Sequence, residues 1–282
     1  MFRSLTAGWK SLLSPAALLS LRSSSSGVNH RLKLPIKVAV VTGSTNGIGF
    51  AMAPPLAQDG AHVVIGSRKQ QNVDRAVAKL RGEGLSVVGT MCHVGKTEVT
   101  MALEHCGGVD FLVCIEGVNP LVGSTLGSSE QVWDKILNVN MKAPALLLSQ
   151  LLPHMEKRGQ GSVVLMSSTA AYIPLCLLGA HNVSKTALLG LTKTLAVELA
   201  PKNIRVNCLA PGFINTDFSQ VVRAKGSSWP MGKMSLVSAS LLSLCREGQS
   251  EDCVGLVSFL CSQDDRYITG ENIMVAAFSP LL

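Results

Sequence analysis

From residue 36 onward the chain alternates short apolar runs with longer amphipathic stretches. Runs rich in Val, Ile and Leu occur at 37–41, 61–65, 85–91, 109–114, 161–166, 204–209 and 272–276. Each has the length of a strand buried on both faces, which reads as a continuous apolar run. Helix-length segments lie between them: one directly after residue 49, then 69–82, 129–158 and 184–200. Periodicity alone does not separate a short buried strand from a helix segment, so the glycine turns carry part of the assignment. Strands alternating with helices predict βαβ units and an α/β fold, a single doubly wound parallel sheet with helices on both faces. Neither an internal repeat nor a linker interrupts residues 36–278, which read as one domain.

Composition narrows the function classes. The chain is 47% hydrophobic and 15% charged, the opposite of a disordered chain. No apolar run reaches the roughly 18 residues of a membrane-spanning helix. The eight cysteines include no Cys-x-x-Cys pair, so reduced thiols are expected, with neither a disulfide framework nor a bound metal. The net charge of +7 is concentrated at the N-terminus: residues 1–58 hold six basic residues and no acid. The remainder is nearly balanced, which argues against a nucleic-acid surface on the body. Residues 1–30 are rich in Ser, Arg and Leu, the composition of a mitochondrial presequence; a secretory signal and a plain disordered tail are the competing readings.

The first strand runs into Thr42-Gly43-Ser44-Thr45-Asn46-Gly47-Ile48-Gly49. Glycines permit a tight turn and a close backbone approach, and the helix that follows offers free N–H groups and its positive dipole end to a pyrophosphate. The pattern sits after a strand and before a helix, the context that a dinucleotide site requires. A ribose-reading residue is expected about 20 residues on. There the sequence is Ser67-Arg68-Lys69, with two cations and no acid, which suits a 2′-phosphate and therefore NADP(H) over NAD(H). The plain alternative is a pair of solvated cations at a helix start.

Ser167-Ser168 ends the fifth apolar run; thirteen residues after Ser168 comes His181, and four further on Lys185. The i, i+4 spacing puts His181 and Lys185 on one helix face. With these residues, the glycine turn, Asn138-Val139-Asn140, Asn182-Val183-Ser184-Lys185 and Pro211-Gly212-Phe213-Ile214-Asn215-Thr216, the chain resembles the short-chain dehydrogenase/reductase family over residues 36–276. The resemblance implies a Rossmann-type domain. It also implies a catalytic set in which Asn140 holds a relay water, Ser168 bonds a substrate carbonyl oxygen, and Lys185 bonds the nicotinamide ribose and lowers the pKa of the neighbouring acid. Gly43, Ser44, Asn46, Gly47, Ile48 and Gly49 would carry the cofactor phosphates. Ser67, Arg68, Lys69 and His93 would meet its adenosine end, and Pro211, Gly212, Ile214 and Thr216 its nicotinamide end. His93 has a plainer account as a partly exposed polar residue. The family's tyrosine falls at position 181, which here is histidine. Imidazole titrates near neutral pH and could donate a proton, but it is shorter than a phenol and has Lys185 one turn away.

Three further departures stand out. Glu116, in Ile115-Glu116-Gly117, would place an anion beside the adenine edge of the cofactor. Pro54-Pro55 would delay or kink the first helix. Residues 96–104 are shorter than the family pattern. Residues 218–248, with Trp229, Met231 and Met234, resemble the family's variable substrate loop, and the segment around Trp133 its dimer-forming helices. Two functions follow. One is an NADP(H)-dependent reductase of small carbonyl compounds (dicarbonyl, quinone or other apolar types), forming a homo-oligomer, with its activity reduced by His181. The other is a catalytically silent relative that binds the cofactor or a protein partner.

Overall fold

A computed structural model of the chain describes residues 32–92, 106–220 and 246–277. The presequence region, His93, residues 96–104 and the Trp229, Met231 and Met234 part of the loop lie outside the described residues.

Seven parallel strands form one sheet: β1 (Val38–Val41), β2 (His62–Ser67), β3 (Val87–Met91), β4 (Phe111–Cys114), β5 (Gly161–Met166), β6 (Ile204–Pro211) and β7 (Asn272–Val275). Their order across the sheet is β3-β2-β1-β4-β5-β6-β7. The winding reverses between β1 and β4, and in open α/β sheets a ligand crevice forms outside the C-terminal strand ends at such a point.

Alternation along β1 shows why the strands carry no polar face. Val38 and Val40 join a core with Leu147, Leu151, Leu188 and Leu199, whereas Ala39 and Val41 join one with Met52, Leu56, Leu80 and Leu260. The first core is covered by α4 (Ala143–Glu156) and α5 (Gly179–Leu199), the second by α1 (Gly47–Gln58), α2 (Gln70–Gly82) and α6 (Val254–Leu260). Both faces of the central strands β1, β4 and β5 are therefore dry, as a parallel sheet requires, while the edge strands β3 and β7 are partly exposed. At the opposite end of the sheet from the crevice, Asp110 accepts from Lys37 Nζ (2.8 Å), Val38 N (2.8 Å) and Arg158 Nη2 (2.7 Å). Burial alone would raise its pKa, but these three donors hold the carboxyl below its ordinary value.

Three sequence expectations need correction. Helix α1 begins directly at Gly47 and remains helical through Pro54 and Pro55, so the prolines do not delay it. Met52, Ala53 and Leu56 are fully buried there, and this packing outweighs the backbone bonds that the prolines cannot donate. The 129–158 segment is not one helix. It divides into α3 (Glu130–Leu137), a π turn (Asn138–Lys142) and α4. Helix α5 starts at Gly179, five residues before the expected 184, so His181 and Lys185 both lie within its first two turns.

Candidate active site

The glycine turn is held by side chains on both sides. Asn46, in extended backbone (φ −157°), accepts from Gly47 N (2.8 Å) and so caps α1. Its amide also donates to Asp217. Ser44 Oγ donates to Val41 O (2.5 Å) and accepts from Gly66 N (3.0 Å), tying the turn to β2. Its hydroxyl is thereby used up and faces the interior. Gly43 and Gly47 have φ of +59° and +54°, and a Cβ on Gly49 would lie 2.5 Å from Gly43 O. Only glycine satisfies these positions without strain.

The side chains at the C-terminal end of β5 and on α5 converge from the other direction. Ser167 Oγ donates to Lys185 O (2.7 Å) and locks the strand end to the helix. Ser168 is half-buried and caps the 3₁₀ turn Thr169–Ala171 by accepting from Ala170 N (3.1 Å). Lys185 is 4% exposed; its Nζ donates to Met166 O (2.7 Å) and Glu116 O (3.2 Å). Burial lowers its pKa to about 8, although Cys208 and Glu116 favour the charge. His181 is 5% exposed, packs on Phe218 with ring centroids 5.5 Å apart, and leaves Nδ1 without a hydrogen-bond partner. Burial first, then the Lys185 charge, lowers its pKa to about 4, against a smaller opposing pull from the Val118 backbone. At neutral pH the ring is uncharged.

A cavity of about 590 Å³ joins the two groups. Of the residues singled out in the sequence, Gly43, Asn46, Gly47, Ile48, Ser168, His181, Lys185, Pro211, Gly212, Ile214 and Thr216 line it. Ser44 and Gly49 shape the turn from behind. Ser67, Arg68 and Lys69 stand at the end of β2 outside the cavity wall, and Arg68 and Lys69 are exposed with no ion pair among the described residues. Asn140 is fully buried and away from the cavity. Its amide accepts from Val118 N (2.8 Å) and donates to Val118 O (3.1 Å) and Ser184 Oγ (3.0 Å), so the side chain has no donor left over for a relay water.

Glu116 also departs from expectation. Ile115 and Gly117 line the cavity, while the Glu116 side chain does not. Alternation along an extended segment turns residue 116 to the opposite side from its neighbours. Its carboxylate lies in the interior, with no bonded partner at either oxygen. The neighbouring Thr42 hydroxyl donates to Val113 O (3.2 Å) instead. Burial pushes the Glu116 carboxyl above its ordinary pKa, only partly offset by Thr42, its own backbone and Lys185.

The sequence reading missed Ile173, Leu175, Leu178, Asp217 and Asp252 in the wall. The first three, with Phe213 of the 211–216 motif and Phe218 of the expected substrate loop, make the reactive end apolar, and Asp217, Arg246 and Asp252 make its rim charged. Arg246 holds Asp252 through two bonds (2.6 and 2.7 Å). The Asn46–Asp217 contact spans 171 positions, and no local pattern announces a pairing of that range.

The family described as Enoyl-(Acyl carrier protein) reductase matches residues 43–277. Dehydrogenase/reductase SDR family member 2, mitochondrial, from Homo sapiens is 62% identical over 287 residues, covering 100% of both chains. The chain belongs to the short-chain dehydrogenase/reductase family. Solved members share its architecture. L-sorbose reductase from Gluconobacter frateurii, complexed with NADPH and L-sorbose, has a TM-score of 0.78 at 30% identity, with 88% of this chain and 97% of that one covered. NAD⁺-bound xylitol dehydrogenase has a TM-score of 0.80 at 27% identity, with 87% and 100% covered. The family's chemistry is oxidoreduction on small molecules with a nicotinamide cofactor. The glycine cradle, the α1 N-terminus and the buried, unpartnered His181 Nδ1 at the far end of one cavity fit such a dinucleotide in this short-chain dehydrogenase/reductase.

Proposed function

We propose that the chain binds NADPH across the C-terminal edge of the sheet as a reductase of small apolar carbonyl compounds, with its proton-transfer step impaired by His181. One observation carries this reading: Ser168, His181 and Lys185 share a single cavity with the glycine turn, and the imidazole there is neutral. When bound, the dinucleotide supplies a hydride to the carbonyl carbon. The chain's own residues do the rest. The backbone N–H groups at Gly47 and beyond meet the pyrophosphate, and Pro211, Gly212, Ile214 and Thr216 border the nicotinamide. Lys185 Nζ holds the ribose. Ser168 Oγ donates to the carbonyl oxygen. A proton must then reach that oxygen, and a neutral imidazole in an apolar wall is a poor source. The second reading, a silent cofactor-binding relative, is favoured by the same neutral ring and by an Asn140 amide whose two N–H groups are both taken.

NADPH preference rests on Arg68 and Lys69, which stand at the end of β2 without ionic partners among the described residues. Each hydrogen bond to a charged group contributes about 1.5–3 kcal/mol. Arg68→Ala and Lys69→Ala should therefore each weaken NADPH binding roughly tenfold or more and leave NADH binding unchanged, read by nicotinamide fluorescence titration. Equal affinity of the native chain for NADPH and NADH would overturn the preference.

Two coarser features belong to the same reading. A mitochondrial location is supported by the name of the human relative and by the acid-free, Arg- and Ser-containing N-terminus. A homo-oligomer is supported by exposed Leu146 on α4 and by Val183 and Val197 on α5 (42%, 50% and 78% exposed), apolar positions that a paired helix would cover.

A further inference from the structure

We propose that, before any dinucleotide binds, Lys185 captures aromatic aldehydes at the cavity floor as a Schiff base. The surroundings suit the free-amine form, although with a pKa of about 8 the ammonium stays the major species at pH 7. A neutral amine has two N–H bonds and one lone pair, and Lys185 Nζ donates to two carbonyls, those of Met166 and Glu116. Its third direction meets no hydrogen-bond partner among the described residues. Lys185 lines the cavity together with Gly117, where a Cβ would stand 3.6 Å from Nζ. The absence of a side chain leaves that approach open.

The charged and titratable groups facing Nζ do not all act in one direction. Glu116 and Cys208 favour the ammonium, while burial outweighs both and leaves the amine with a pKa of about 8. The fraction of free amine at neutral pH is then more than a hundredfold that of an ordinary lysine. One turn back along α5, the neutral His181 ring has Nδ1 unpartnered, able to relay protons during dehydration. The wall formed by Ile173, Leu175, Phe213 and Phe218 selects an apolar, flat carbonyl compound.

The step balances without an oxidant or reductant. The Nζ lone pair forms a C–N bond to the carbonyl carbon. The two amine hydrogens then leave with the carbonyl oxygen as water, giving an imine. This inference rests on the cavity and the amine, not on dinucleotide binding.

The test uses the full chain with benzaldehyde and sodium cyanoborohydride at pH 7, followed by peptide mass mapping. Benzylation at Lys185 should exceed that at exposed Lys69 and Lys79 by at least tenfold. His181→Tyr, which fills the space beside Nζ, should slow it several-fold. Labelling of Lys69 and Lys79 with Lys185 left unmodified would overturn the proposal, and this needs no variant to fold. Added NADPH separates the two readings. Protection of Lys185 supports both, whereas unchanged labelling leaves capture standing and counts against the dinucleotide site.

Discussion

His181→Tyr should raise NADPH-dependent reduction of a diketone by about 10²–10⁴-fold, the usual contribution of a positioned general acid. The rest of the site is already assembled. Ser168 is half-exposed at the end of β5, and Lys185 lies one turn from position 181 on α5 with Nζ at the cavity floor. A phenol at 181 extends further into the 590 Å³ cavity than an imidazole does, towards the carbonyl that Ser168 addresses. Its neutral form is itself the acid. The imidazole must first be protonated, and with a pKa of about 4 only about one molecule in a thousand carries the charge at pH 7. The pH profile separates the two cases. Any turnover by the native chain should rise as pH falls from 7 to 5, by up to about a hundredfold if protonated His181 is the donor. The tyrosine variant should lack that rise. Steady-state NADPH oxidation across pH 5–8 measures both. Equal, robust rates for the two proteins at pH 7 would refute the claim that position 181 limits the reaction. NADPH binding by both with turnover by neither would favour the silent relative.

Glu116→Ala should stabilise the fold at pH 8 by about 1–3 kcal/mol, the cost of leaving a buried polar group unsatisfied, and raise the midpoint of thermal unfolding by several degrees. Both carboxylate oxygens lack partners, and burial raises the folded-state pKa above the ordinary carboxylate value. An acid with a raised folded pKa binds its proton more tightly in the native state. Its penalty is therefore absent below the unfolded pKa of about 4.5, grows as pH rises, and is complete above the folded value. His181 acts in the opposite window. Its folded pKa of about 4 lies below the unfolded value near 6.5, so stability falls as pH drops from 6.5 towards 4. The two windows overlap between about pH 4.5 and 6.5, where the Glu116 penalty grows and the His181 penalty fades as pH rises. Glu116→Ala should stabilise more at pH 8 than at pH 5, and His181→Tyr more at pH 5 than at pH 8. Calorimetry at pH 5, 6.5 and 8 reads these differences. Glu116→Gln keeps the volume and removes the charge, which separates an electrostatic gain from a packing loss. A lower midpoint at pH 8 for both Glu116 variants would show that the carboxylate has a stabilising partner.

Much of the architecture was legible in the residues because both of its determinants are local. Seven apolar runs became seven strands within a few residues of their expected limits, since a strand buried on both faces must be apolar throughout. The turn at 43–49 was legible because positive φ and close backbone approach leave only glycine, as Gly43, Gly47 and Gly49 show. The pairing of His181 with Lys185 followed from helical spacing. Packing settled the rest. Pro54 and Pro55 broke a local rule, yet α1 runs through them because Met52, Ala53 and Leu56 are buried against the sheet. Glu116 was expected beside the cofactor, and its actual direction depends on which side of the extended segment faces the cavity. Ser44 and Asn140 match motif positions, and their side chains also bond across 22 and 44 residues to β2 and α5, bracing contacts that no local pattern announces. The protonation states of His181 and Lys185 were beyond any linear reading. They arise from desolvation and from charges brought together by separate elements, and burial is a property of the folded surroundings and not of the residue type.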